Sequence, residues 1–433
     1  MMDESWGNRI DAMRPDAPEL APLGRFAVGV RTMTFTNRGQ PDIAKAETGK
    51  PTPLYDRPLT VEIWYPARRN PNRPPSGEYE NVVTRDGETM VSLWGQADRD
   101  AVPDAAAGAC PLVILSHGYP GNRFIMCHFG ENLASKGFVV ASIDHFESTY
   151  DNLGAFSSTL YNRPLDQLFI LNSMAALNLD DRGTGFAGMI DAEKAAIIGY
   201  SMGGYGLINA VGGGFSPAVV KSSLAPPNML LAKLQAGTPE YAASMDSRIK
   251  AAIAIAPWGW THGFWDKTGL EGVETPTMFL TGSADTTVGY APGVRNIFEN
   301  CVNAERYLLT FENAGHNAIA PIPAPREVRL SPGPGAKYWK HYQDPVWDGV
   351  RGNNIAQHFV AAFLGKYLAK DQTADAYLDL PEYSKESMAA GAASWKGFAV
   401  RNATGLRFEY RKAGEPARGK QPSPYRGDGC TSI

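Results

Sequence analysis

The stretch AAIIGYSMGGYGLINAV, from Ala195 to Val211, decides how this chain reads. Its first four residues form a short continuous apolar run, the pattern of a strand buried on both faces of a parallel sheet. The residues from Met202 onward read as a helix despite their glycines. Between the two lies Gly199-Tyr200-Ser201-Met202-Gly203, a G-x-S-x-G spacing. The pentapeptide alone recurs by chance, and an ordinary glycine-rich strand-to-helix turn is the plain alternative. The flanks argue for more. A serine on a strained turn between strand and helix needs tiny neighbours on both sides, because the backbone crosses itself closely there. Such a turn lifts the Ser201 oxygen to the C-terminal edge of the sheet and aims helix-start N–H groups at the same spot.

The rest of the chain repeats the strand–helix rhythm outward from that point. Towards the N-terminus lie FAVGVRTMTF (26–35) and LTVEIWYPA (59–67), which read as two strands that pair. PLVILSHG (111–118) and FVVASIDH (138–145) are buried strands, with a helix predicted over 127–137 that closes on Gly137. LDQLFILNSMAALNL (165–179) is a helix with an apolar face. Towards the C-terminus come strands AAIAIAP (251–257), TPTMFLTG (275–282) and RYLLTFEN (306–313), the last strand expected. Helices are predicted over 291–301 and over 355–368, the second packed by Phe359, Phe363 and Tyr367. Strands alternating with helices in this order predict an α/β fold with a mostly parallel sheet.

Four segments stand outside the rhythm. Residues 1–24 read as a wrapping arm, and 68–109 as a loop insertion with little regular structure. Residues 212–250 sit where a cap is expected, and 321–352 form a long loop rich in proline, glycine and aromatics. A loop that long is functional or well packed, and either it or 212–250 is a candidate lid. The expected organisation is an arm (1–24), one catalytic domain (25–370) carrying those three insertions, and an extension (371–433) packed on it.

A serine hydroxyl needs a base to act as a nucleophile at neutral pH. On a fold with this elbow the partners follow in the order Ser, acid, His. That order excludes His117, His128 and His145 as the base. His316, in ENAGHN directly after a predicted strand, is the candidate; His262 precedes the acid, His341 lies in the aromatic loop and His358 on a packed helix. Asp285, in TGSADTTV after a buried strand, is the candidate acid, with Asp266 as runner-up and a turn-forming role as the plain alternative. Its carboxylate would hold the imidazole in the useful tautomer. Donors for a developing oxyanion are the backbone N–H of Met202 and, from SHGYPG (116–121), that of Tyr119, since Pro120 has none. His117 is expected to brace that loop. Trp258, Trp260, Phe264 and Trp265 suggest either a wall for an aryl or long acyl group or aromatics that shore up a loop.

Composition excludes other classes. Asp and Glu number 45 against 41 Lys and Arg, a net charge of −4, so the basic stripe needed to bind nucleic acid is missing. No apolar run approaches the roughly 18 residues needed to span a bilayer. The sequence starts with acidic residues and lacks an apolar secretion core, so a cytoplasmic location is expected by default. Cys110, Cys127, Cys301 and Cys430 are far apart and fit no metal spacing, which predicts free thiols and no metal or other cofactor.

RPLTVEIWYPA, PLVILSHGYPGNR, LASKGFVVASIDH, IIGYSMGGYG, TGSADTTV, NAGHN and VWDGVRGNNIAQHFVAAFL together resemble the α/β-hydrolase family, from about residue 57 to 368. More narrowly they resemble the dienelactone-hydrolase-like and platelet-activating-factor-acetylhydrolase-like esterases, with the bacterial cutinases and polyester hydrolases as relatives. In the acetylhydrolase branch the acid follows the strand after the nucleophile helix. The matching IAIAPWGW has none, so the chain resembles the cutinase arrangement with Asp285 one strand later. That resemblance implies Trp258 as a substrate contact and supports Tyr119 and Met202 as oxyanion donors; Tyr200 and Trp260 are further candidate substrate contacts. The expected function is a serine hydrolase that cleaves a small-molecule carboxylic ester through an acyl-enzyme. An amidase or lactonase with the same triad is the alternative, and a non-catalytic binding protein on this scaffold a more distant one.

Overall fold

A computed structural model of the chain describes residues 7–69, 77–180, 183–330, 336–389 and 394–417. Cys430 and the first six residues lie outside the described residues. The frame is a ten-stranded sheet in the order β12-β11-β10-β9-β8-β6-β7-β2-β1-β5. Its middle is parallel: β6 (Cys110–Ser116) lies between β7 (Val139–Asp144) and β8 (Ile190–Tyr200), and β9 (Ile249–Ile255), β10 (Thr277–Gly282) and β11 (Arg306–Phe311) follow outward. β1 (Ala27–Pro41), β2 (Leu54–Ala67) and the short β5 (Asp98–Arg99) close one side, with β2 antiparallel to both β1 and β7.

The parallel strands read as near-continuous apolar runs because their central parts are buried on both faces; every residue of β10 and β11 is buried. Helix α1 (Cys127–Ala134) carries the chain from β6 to β7, α2 (Phe156–Leu179) from β7 back across β6 to β8, and α3 (Met202–Ala210) opens directly after β8. Strand order therefore reverses at β6, and the crevice outside the carboxyl ends there is where ligands bind in open α/β sheets.

Four details depart from the sequence reading. The described part of 68–109 is not irregular: β3 (Glu78–Val83) and β4 (Met90–Trp94) form a hairpin whose turn is held by Asp86, which accepts the N–H groups of Glu88 and Thr89. Helix α2 starts at Phe156, nine residues before the predicted start, and runs through Pro164. Proline has no N–H to give the Leu160 carbonyl; the Tyr205 hydroxyl supplies that donor at 2.9 Å. RYLLTFEN is not the final strand, because β12 (Leu406–Arg411) pairs antiparallel with β11 and covers its edge. The long loop 321–352 contains short helical turns at Arg326–Leu330 and Ala336–Trp339, and it buries Tyr342 and Trp347.

Residues 7–24 are bonded to the rest of the fold at several points. Ile10 N–H donates to Trp94 O, and Leu20 N–H to the Nδ1 of His358 on the helix Gly349–Leu364. Cys110, Cys127 and Cys301 are free and buried.

Candidate active site

Ser201 sits at φ 54° and ψ −110°, a strained backbone for a residue with a side chain, at the junction of β8 and α3. Its neighbours show why glycine is required. A Cβ on Gly203 would lie 1.9 Å from Ser116 O, and one on Gly199 2.3 Å from Gly203 O. The turn is pinned on both sides, with Ser201 N–H donating to Ile255 O at 2.8 Å and Ser201 O accepting Trp258 N–H at 3.1 Å.

Three of the sequence-predicted residues meet here. His316 Nε2 lies 3.0 Å from Ser201 Oγ, and His316 Nδ1 lies 2.8 Å from Asp285 Oδ2. The second Asp285 oxygen accepts the N–H groups of Thr287 at 2.8 Å and Val288 at 3.1 Å, which fixes the carboxylate after β10. Asp266, the runner-up acid, is exposed and caps a short helical turn by accepting Gly269 N–H, with no bond to His316 among the described residues.

The oxyanion candidates lie on the near side of Ser201. A Cβ on Gly118 would sit 3.5 Å from the Ser201 Cβ, so the loop after β6 passes against the nucleophile. Among the described residues, the N–H groups of Tyr119 and Met202 have no acceptor within the chain. The Tyr119–Pro120 peptide is cis.

An aromatic arc continues from that loop. The rings of Tyr119 and Phe156 are 5.1 Å apart, those of Phe156 and Trp258 5.6 Å, and those of Trp258 and His262 4.4 Å at 30°. Trp258 also packs on Tyr205 and Phe264. Trp260 lies in the next turn, half-buried, with no bond or ring contact to Ser201 or His316 among the described residues. Tyr200 differs from the sequence expectation of a substrate-facing ring. It is only 2% exposed, packs 5.2 Å from the His316 ring and donates its hydroxyl to Asn317 Oδ1 at 2.5 Å. Burial holds its phenol well above the ordinary range. Its geometry supports the His316 loop.

Sequence reading missed several supporting residues. Asp344 accepts Gly315 N–H at 2.7 Å while its other oxygen accepts Val346 and Trp347, so it ties the long loop to the residue before His316. The Asp-Pro-Val-Trp pattern is a turn signal, but nothing local says what the turn grips. Phe156 is missed because the start of α2 is misplaced. His145, excluded as the base, instead bridges Ser116 Oγ at 2.8 Å and Asp166 Oδ2 at 2.9 Å in the interior.

The fold and this edge geometry define an α/β-hydrolase fold with a candidate serine hydrolase site. Comparisons with known proteins agree on the fold. Residues 83–224 match the PETase family model, described as PET hydrolase-like; this is about a third of the chain and holds Ser201 but not Asp285 or His316. The chain is 24% identical over 207 residues to cutinase est1 of Thermobifida alba, covering 48% of this chain and 53% of that protein. It is 24% identical over 241 residues to a bis(hydroxyethyl) terephthalate hydrolase of Streptomyces coelicolor, covering 55% and 61%. The chain thus spans about half the length of the curated relatives it matches. A ferulic acid esterase structure from Streptomyces cinnamoneus superposes with a TM-score of 0.57 at 21% identity, over 87% of this chain and 96% of that one. The chain has an α/β-hydrolase fold and resembles PETase- and cutinase-like enzymes at low identity.

Proposed function

We propose that this protein is a serine hydrolase that cleaves a carboxylic ester through an acyl-enzyme. The observation that carries the reading is the hydrogen-bonded series Ser201–His316–Asp285 at the carboxyl edge of the sheet. Ser201 Oγ attacks the ester carbonyl while its proton passes to His316 Nε2. The carbonyl electron pair becomes an oxyanion held by the N–H groups of Met202 and Tyr119. As the pair returns, the ester C–O bond breaks and His316 gives its proton to the departing alcohol. Water then repeats the sequence on the acyl-enzyme, and Asp285 orients the imidazole throughout.

The arc Tyr119–Phe156–Trp258 favours a substrate with an aryl or long apolar acyl group. The relatives named for cutin, terephthalate ester and ferulic acid ester hydrolysis support the same class. The test is p-nitrophenyl acetate turnover and fluorophosphonate labelling of the wild type and Ser201→Ala. Loss of both in a folded Ser201→Ala protein is expected; normal turnover by it overturns the reading. Matched ester, lactone and anilide substrates then rank the alternatives, with the ester fastest.

A further inference from the structure

The loop that carries Tyr119 is built on a histidine that the triad does not use. His117 is 1% exposed, and both ring nitrogens are engaged. The backbone N–H of His145 points at Nε2 from 3.2 Å. A backbone N–H can only donate, so Nε2 is the unprotonated nitrogen and the ring proton sits on Nδ1. Nδ1 lies 2.7 Å from the carbonyl oxygen of Gly118 and therefore donates to it.

The Gly118 carbonyl and the Tyr119 N–H belong to one peptide unit. That unit is planar, so fixing the direction of its C=O fixes the direction of its N–H, which points the opposite way in a trans peptide. We infer that His117 is a positioning residue for the oxyanion donor: its Nδ1–H locks the Gly118–Tyr119 peptide so that the Tyr119 N–H faces away from the protein interior. This inference rests on the reading of Tyr119 as an oxyanion donor.

A flipped peptide would turn the Tyr119 N–H onto the Nδ1–H of His117, donor against donor, and present the Gly118 carbonyl to a developing negative charge. The tautomer forbids the flip, and the tautomer is itself fixed from below. The surroundings are arranged for the same end. A Cβ on Gly121 would lie 2.6 Å from His117 Nδ1, so the glycine there makes room for the ring. The preceding carbonyl, His117 O, accepts a hydrogen bond of 2.6 Å from the buried Arg163 guanidinium. Burial first, then the nearby Arg163 and His145, hold the His117 ring neutral, so it keeps one donor and one acceptor across the working pH range. No catalytic step passes through this histidine.

The test compares wild type with His117→Ala, His117→Asn and Ser201→Ala. Readouts are kcat and KM on p-nitrophenyl acetate, and the affinity of a trifluoromethyl ketone. That inhibitor accepts the Ser201 oxygen at its carbonyl carbon, its carbonyl pair becomes an oxyanion, and the serine proton passes to His316. Removing one oxyanion donor outright costs about 10²–10³ in kcat. His117→Ala loosens the donor without deleting it, so a loss of roughly 10- to 100-fold is expected. Ketone affinity should fall by a similar factor, with KM changed less than about threefold. His117→Asn carries an amide N–H₂ at nearly the Nδ1 position and should recover most of the loss. If the alanine protein does not fold, His117→Leu fills the space without a donor and takes its place against His117→Asn. Wild-type kcat in the donorless variant, a loss confined to KM, or no recovery with asparagine overturns the inference. Undiminished turnover by Ser201→Ala overturns the reading of the site itself, whatever His117 does.

Discussion

Two Ser–His–Asp series run through this molecule, and they differ in almost everything except residue type. Ser201, His316 and Asp285 meet at the sheet edge over 3.0 and 2.8 Å. Ser116, His145 and Asp166 meet in the interior over 2.8 and 2.9 Å, each 1% exposed or less. Distances do not tell them apart; surroundings do. Ser116 is the last residue of a regular strand, paired to Ile143 and Gly199, whereas Ser201 stands on the strained elbow. Asp166 is gripped by Arg57 through two bonds of 2.8 and 2.9 Å, whereas among the described residues Asp285 is held by backbone N–H groups and His316. Burial pushes the Asp166 carboxyl up, but the Arg57 charge and the bonds from His145 and Arg57 bring it down to about 2. Burial, with Arg163 and Arg57 nearby, drives His145 down to about 3 against the pull of Asp166. An imidazole that resists a proton that strongly is a poor base. The interior series is a scaffold strut: it anchors the end of β6, from which the Tyr119 loop departs.

The sharpest way to break this comparison is to delete the two serines in turn. Ser201→Ala should lower kcat by roughly 10⁶, the scale of losing a triad serine. Ser116→Ala should keep kcat within about tenfold and instead cost about 1–3 kcal/mol of stability, because it leaves a buried acceptor without its donor. Steady-state rates and urea unfolding on both proteins separate the two effects. The acids make the next test. Asp285→Asn should lower kcat by about 10⁴ through loss of the correct tautomer. Asp166→Asn leaves the buried Arg57 with Glu147, at 3.5 Å, as its remaining carboxylate partner and should cost up to about 3–5 kcal/mol of stability. A folded Asp166→Asn protein with a catalytic loss as large as that of Asp285→Asn would make the strut part of the machinery.

A weaker effect follows from the histidines. Burial holds His128, His145 and His358 down at about 3, and His117 well below the ordinary value. The unfolded chain protonates these rings near pH 6.5. Below that pH the unfolded state binds protons that the native state refuses, so stability present above pH 6.5 is lost as pH falls towards 3. Each ring contributes up to about 1.4 kcal/mol per pH unit in that window. Urea midpoints should fall steeply from pH 7 to 5, and His145→Asn should make the slope shallower. An unchanged midpoint over that range would mean that these rings take up protons inside the folded protein.

The elbow was legible in the sequence because its cause is local: Gly199 and Gly203 answer clashes within a few residues, and the strand and helix beside them carry their own periodicity. His316 and Asp285 were legible because chain order on this fold restricts the choices. The interior series was not, because Ser116, His145 and Asp166 come from β6, from the end of β7 and from α2, and nothing local marks that they converge. The strand from the tail escaped for the same reason, since Leu406–Arg411 finds its place only against β11. The hairpin at 78–94 was hidden by the polar, proline-rich residues around it, although Asp86-Gly87 was a turn signal in plain view.

Pro164 shows the limit of local reading most clearly, and it supplies the smallest effect. A proline argues for a helix boundary, yet α2 continues through it because Tyr205, one turn into the nucleophile helix, donates to the carbonyl that Pro164 cannot serve. That bond joins the helix of Ser201 to the helix of Asp166, so it is the direct test of whether the two series are independent. Tyr205→Phe leaves the Leu160 carbonyl buried and unpaired and should cost about 1–3 kcal/mol. The ring remains to pack against Trp258, Phe264 and Trp265. Independent series predict a lower urea midpoint with kcat within about twofold of wild type. A fall in kcat that tracks the stability loss across Tyr205→Phe, Ser116→Ala and Asp166→Asn would mean that the interior series sets the geometry of the edge, and the distinction between scaffold and site would have to be redrawn at α2.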